Sequence, residues 1–198
     1  RRFEAAAEAV VLGDEHTLAG MLRDNAALAR ERSVRRHHAT LLHYVAANGV
    51  EGARQRTPPN AVAIATLLLD AGAEPDALAD MYEQRCTTLS MLLSSSPPAE
   101  AGLQLPLAEL LLDRGAGLLG PGTAWRSAVL TALVFGFVDT ARALSQRAGK
   151  TSLVEAAGLG RADDVARLLS GADARARHAA FALAAQLGHA DVVVALLD

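Results

Sequence analysis

A chain of 198 residues with 19 basic and 22 acidic side chains has a net charge of only −3, so no overall field draws it to nucleic acid or to an acidic membrane surface. It is 51% hydrophobic but only 4% aromatic, so its core must be built from Ala, Leu and Val, which let short helices approach closely. The single cysteine, Cys86, excludes an intrachain disulfide and fits a reducing compartment. Glu4 and Glu8 interrupt the apolar core that a secretory leader needs. The longest apolar run, around Ala128 to Val138, is too short to span a bilayer. A soluble cytoplasmic protein is the expectation.

In chain order, helical periodicity recurs with a glycine punctuating it. Residues 4–22 read as one helix up to Gly13 and a second running to Leu22. In Ala39 to Gly49, Thr40 is expected to cap a short helix and Gly49 to supply the left-handed residue that ends it. Leu42, Val45 and Ala46 then share one face, and a second apolar segment runs from Ala65 to Asp76. The third unit begins at Thr87, puts Ser96 in the glycine slot and resumes from Pro106 to Ala116. The fourth runs from Ser127 to Gly136 and on to Leu144, the fifth from Thr151 through Gly160 to Leu169, and the sixth from Ala179 to Leu197. Markers at 13, 49, 96, 136, 160 and 188 are 36, 47, 40, 24 and 28 residues apart. The two longest units carry insertions, Val50–Asn60 with Pro58-Pro59 and Ser94–Gln104 with Pro97-Pro98, read as loops because proline cannot continue a helix. Asn60 is expected to cap the helix that follows it.

A capped short helix, a glycine and a second helix ending Leu-Leu-x-x-Gly-Ala resemble the ankyrin repeat, whose pattern is T-P-L-H-x-A-A-x-x-G followed by V-V-x-x-L-L-x-x-G-A, about 33 residues long. The histidine of that pattern is kept at His43, while Leu41, Thr88, Ala128 and Ser152 stand where it has proline. The resemblance implies an all-α, ankyrin-like solenoid of about six stacked helix-turn-helix repeats with short or missing hairpins. It would form one array over 1–198, with repeats at about 3–36, 37–84, 85–122, 123–149, 150–174 and 175–198. It also implies a structural role for His43, bonded to the backbone of a neighbouring loop. The Ala156-Ala157 and Ala184-Ala185 pairs are expected to be buried between neighbouring units.

Motifs that suggest chemistry have simpler readings. Gly149-Lys150-Thr151 ends a phosphate-loop pattern, but Leu144 stands where a glycine is needed and Thr151 suits a helix cap. Gly120-Pro-Gly122 and Gly158-Leu-Gly160 follow no strand, so neither makes a dinucleotide fingerprint. His37, His38 and His43 have no cysteine or acidic partner at metal-ligand spacing. Cys86 precedes a helix cap with no base nearby in sequence and reads as an inert thiol. Asp163 and Asp164 are adjacent, so they point apart on a helix and suit its macrodipole. The basic run Arg30, Arg32, Arg35, Arg36, His37 and His38 reads as a solvated loop, with contact to an acidic partner or to nucleic acid as alternatives.

The expected function is that of a non-catalytic, monomeric scaffold binding another protein through its concave face and loops, with no cofactor, no metal, no nucleic acid and no membrane. The resemblance implies this, because stacked helices give a long concave surface without a deep dry pocket. Aligning the units by their glycines puts Glu8, Tyr44, Met91, Thr131, Glu155 and Leu183 in one line along that face. Tyr44 beside Met91 is either a hot-spot pair or a filler between poorly matched units. Arg35 and Arg36 on one side and Asp76, Asp80 and Glu83 on the other would steer a partner, and Trp125 completes the candidate set. Two other readings are a regulatory or targeting region of a larger enzyme or effector, since the chain starts mid-pattern and stops at Leu-Leu-Asp198, and an unrecognised activity at the proline loops.

Overall fold

The computed structural model describes residues 1–47, 52–81, 84–118 and 127–197. Among them are thirteen α-helices, two 3-10 turns and one two-stranded antiparallel hairpin, so the chain is mainly helical. Gly49, Gly120, Gly122, Glu83 and Trp125 lie outside the described residues. The chain divides into two compact units, Arg1–Arg126 and Ser127–Asp198.

Unit 1 begins with α1 (Arg2–Leu12) and α2 (Glu15–Asp24), joined through Gly13. Next come α3 (Leu41–Val45) and α4 (Ala61–Asp70), then the hairpin of β1 (Ala79–Met81) with β2 (Gln84–Cys86), in which Ala79 pairs with Cys86 and Met81 with Gln84. Then follow α5 (Thr88–Leu92), α6 (Ser96–Glu100) and α7 (Gln104–Asp113). One row runs α1 on α3 on α5, and a second runs α2 on α4 on α7. The helices α3 and α5 have five residues each, far below the length that is stable alone, and every residue in both is buried. Packing makes them helical.

Unit 2 is leaner. It contains α8 (Ala128–Val134), α9 (Val138–Ala148), α10 (Leu153–Gly158), α11 (Ala162–Leu169), α12 (Ala174–Gln186) and α13 (Ala190–Leu197). Helix α10 packs against α8 and α12, while α9 lies on α8 and α11 lies on α10 and α13. Gly158 makes that approach possible: a Cβ there would stand 2.7 Å from Leu183 Cδ2 and 2.9 Å from Leu133 Cδ1. The caps are local. Thr87, Ser127, Ser152 and Asp173 accept the N–H groups of Ser90, Leu130, Glu155 and Ala176.

Several expectations change. Pro97 and Pro98 do not make a loop but open α6, because the first turn of a helix has no use for the N–H that proline lacks. Ser96 therefore starts a helix, and the positive-φ glycine of that unit is Gly102. Helix α3 stops at Val45, earlier than expected, and Ala47 beyond it has φ 54°. Asn60 gives α4 no side-chain cap; its amide donates instead to Gly13 O at 2.9 Å. The cap of α10 is Ser152, one residue past Thr151. Ala156, Ala157 and Ala184 are buried, but Ala185 is exposed on the face of α12 that neither α10 nor α13 covers.

Candidate functional site

The proposed hot spot is inside the protein. Tyr44 is 1% exposed and Met91 is buried, so both are core fillers and neither is a contact surface. The cause is the brevity of α3 and α5: held between neighbouring helices, they have no side left to turn outward. The rings of Phe3 and His37 meet Tyr44 edge-on, each with its centroid 6.1 Å away, and the Arg54 guanidinium lies 5.7 Å from the Tyr44 ring centre. Arg54 also reaches Glu4 at 3.1 Å and Glu8 at 3.6 Å, and Arg35 pairs with the same Glu4 carboxylate at 3.1 Å. The hydrogen bond from Arg35, opposed by burial and helped by the nearby guanidinium charges, holds the Glu4 carboxyl below its ordinary value.

The other members of the glycine-aligned row are also mostly interior. Thr131, Glu155 and Leu183 are buried, and only Glu8 is exposed. Glu155 serves the backbone: its carboxylate accepts the Ser152 N–H at 2.8 Å and the Ser127 hydroxyl at 2.5 Å, tying α8 to α10.

The basic run is exposed at every position but His37, as a solvated loop would be, yet several of its side chains also make specific bonds. Arg30 donates to Gly72 O at 2.7 Å, Arg32 to Leu78 O at 2.6 Å and to His38 O at 3.0 Å, and His38 meets Asp80 at 2.8 Å. These side chains satisfy carbonyls that a loop leaves without ladder partners. Asp80 is therefore engaged, and Asp76 accepts the Gly117 N–H at 3.1 Å. Of the charged flank, Arg35, Arg36 and Asp80 are exposed, Arg35 and Asp80 while paired with Glu4 and His38, and Asp76 is half-buried.

His43 and Cys86 are structural. The Nδ1 of His43 accepts the Thr40 N–H at 3.1 Å, which leaves the ring proton on Nε2, donated to the Cys86 carbonyl at 3.3 Å. Burial pushes the His43 pKa down to about 4, so the ring is neutral at pH 7. Burial likewise raises the Cys86 thiol pKa, leaving it a poor nucleophile.

Unit 2 exposes apolar side chains where no candidate was expected. Val134 is 39% exposed and Phe135 44%, at the C-terminal end of α8 just before the positive-φ Gly136. Gln186 of α12 donates to Val134 O at 3.3 Å, which brings the ends of α8 and α12 to one edge. The residue before the turn glycine is large and apolar in α1, α8, α10 and α12: Leu12, Phe135, Leu159 and Leu187. That regularity was the available signal, one residue before each glycine instead of five. No protein-family model matches the chain, and no curated protein matches it.

Proposed function

We propose that this chain is built of ankyrin-like solenoid repeats that form a non-catalytic scaffold for binding another protein. The observation that carries the reading is the rule followed by unit 2. There α8, α10 and α12 lie side by side, and each is joined through a positive-φ glycine (Gly136, Gly160, Gly188) to α9, α11 or α13. The residue between each helix and that glycine is large and apolar (Phe135, Leu159, Leu187); Leu159 is buried, while Phe135 and the adjoining Val134 are open to solvent. Exposed apolar side chains on a rigid edge are the usual anchors of protein–protein contacts. This reading assigns Val134 and Phe135, with the neighbouring Gln186 amide, to the partner contact.

The test compares immobilised wild-type protein with the Val134→Ser, Phe135→Ser double variant, after confirming equal melting temperatures. Proteins retained by the wild type and lost from the variant support the reading. Identical retained sets would sink it.

A further inference from the structure

Helices α10 and α11 are joined by residues 159–161 alone, whereas α3 and α4 are separated by residues 46–60. The extra length is not needed to close a helix pair. Backbone bonds along it are short-range: Gln55 N–H donates to Gly52 O at 3.4 Å, Arg56 N–H to Arg54 O at 3.0 Å and Ala61 N–H to Pro58 O at 3.0 Å. Side chains carry it across to α1 and α3. Arg54, its side chain only 16% exposed, meets Glu4 at 3.1 Å and Glu8 at 3.6 Å on α1, and lies 5.7 Å from the ring centre of Tyr44 on α3. Asn60 donates to Gly13 O at 2.9 Å, and a Cβ built at Gly13 would stand 2.8 Å from Pro58 Cβ. Between these two anchors Gln55, Arg56 and Pro59 are exposed. Residues 52–60 lie there as a strap.

We propose that the α1–α3 face is a binding site for an arginine side chain on an extended segment of a partner protein, and that residues 52–60 fill it as a built-in competitor, so that the partner binds as the strap lifts. Glu4 and Glu8 stand one helical turn apart on α1, and the Tyr44 ring lies within cation–π reach of the guanidinium placed between them. A planar, forked guanidinium suits that pairing; the point charge of an ammonium does not. The site also outlasts the departure of its occupant. Arg35 keeps two hydrogen bonds to Glu4, at 3.3 and 3.1 Å, Glu8 is half-open to water, and Phe3 and His37 hold the Tyr44 ring from its edges. Lifting Arg54 therefore strands no buried carboxylate, and Glu4, Glu8 and Arg35 together leave one net negative charge to draw a cation in. A tethered occupant acts at an effective concentration on the order of millimolar, so it excludes weak ligands and yields to a partner whose other contacts add affinity. The site lies within unit 1 and does not depend on the Val134–Phe135 edge.

The test releases the strap in the whole 198-residue chain with Arg54→Ala and Asn60→Ala together, and titrates it with the free peptide 52–60 by NMR. The peptide should bind the released variant about tenfold more tightly than it binds the wild type, whose site is filled. Its Arg54→Lys form should bind about fivefold less tightly than the unaltered peptide. Adding Glu8→Gln to the released variant should weaken binding by about fivefold with an unchanged circular dichroism spectrum. No binding to the released variant at about 5 mM peptide, equal binding to the wild type, or equal binding of the lysine form would overturn the proposal. If the released variant unfolds, refolding on addition of the peptide supports the site, and a chain that stays unfolded with it overturns the site.

Discussion

In Arg1–Arg126 the connections between helices are held by polar side chains that reach far along the chain. Arg30 bonds Gly72 O, Arg32 bonds Leu78 O, Asn60 bonds Gly13 O and Gln104 bonds Leu92 O, while His43 joins Cys86 O. Among the described residues of Ser127–Asp198, long polar ties include those from Ser127 to Glu155, Gln186 to Val134 O and His189 to Gly158 O. There the helices hold one another through alanine, glycine and leucine at close range. The difference follows from the insertions. A longer connection carries more backbone carbonyls away from any regular ladder, and each needs a donor before it can be buried.

The comparison can be broken at four points. Tyr44→Ala should be the most damaging change in unit 1, about 4 kcal/mol by urea denaturation, since it empties a site filled between Phe3, His37 and Arg54. A loss below about 1 kcal/mol would return Tyr44 to the surface.

Acidification comes next. The folded pKa of His43 is about 4 and its unfolded value 6.5, so below pH 6.5 the unfolded state binds the extra proton and stability falls with pH until about pH 4. The loss should total about 3 kcal/mol and level off below the folded pKa. Denaturation midpoints at pH 7.5 and pH 4.5 check this, with His43→Gln flattening that stretch of the profile.

In unit 2, Gly158→Ala should cost about 2 kcal/mol because the new methyl meets Leu183 and Leu133 at under 3 Å. A neutral result in calorimetry would mean that the α8–α10–α12 packing is looser than described. The smallest effect has the opposite sign: Ala47→Gly should stabilise by about 0.5 kcal/mol, since relief of the left-handed backbone at φ 54° exceeds the entropy cost of glycine. A lower melting temperature for that variant would count against strain at Ala47.

Some local signals were readable in the sequence, though the expected caps at Thr151 and Asn60 and the turn at Ser96 were not where they were read. Ser127 and Asp173 stand where capping chemistry requires them, Gly13, Gly136, Gly160 and Gly188 all mark turns, and His43 stands in the buried slot that the ankyrin pattern suggested. Three things were not readable, each for its own reason. The burial of Tyr44 depends on neighbours on both sides of a five-residue helix, which periodicity cannot orient. Pro97 and Pro98 stop a helix from within but start one from its first turn, and the same two letters stand for both. Arg30, Arg32 and Arg35 each reach a partner 42, 46 or 31 residues away, beyond the reach of any spacing rule.

At the turn after α10, Gly160 has φ +70°, and a Cβ built on it would come within 2.8 Å of the His189 ring, which sits there because its Nε2 meets Gly158 O at 3.0 Å. The two positions therefore cannot drift independently over generations. A variant that replaced the glycine by asparagine, the side chain best able to tolerate that backbone, would survive only in a background where the histidine had already become smaller. Related chains should show this as an ordered pair of changes, the histidine going first.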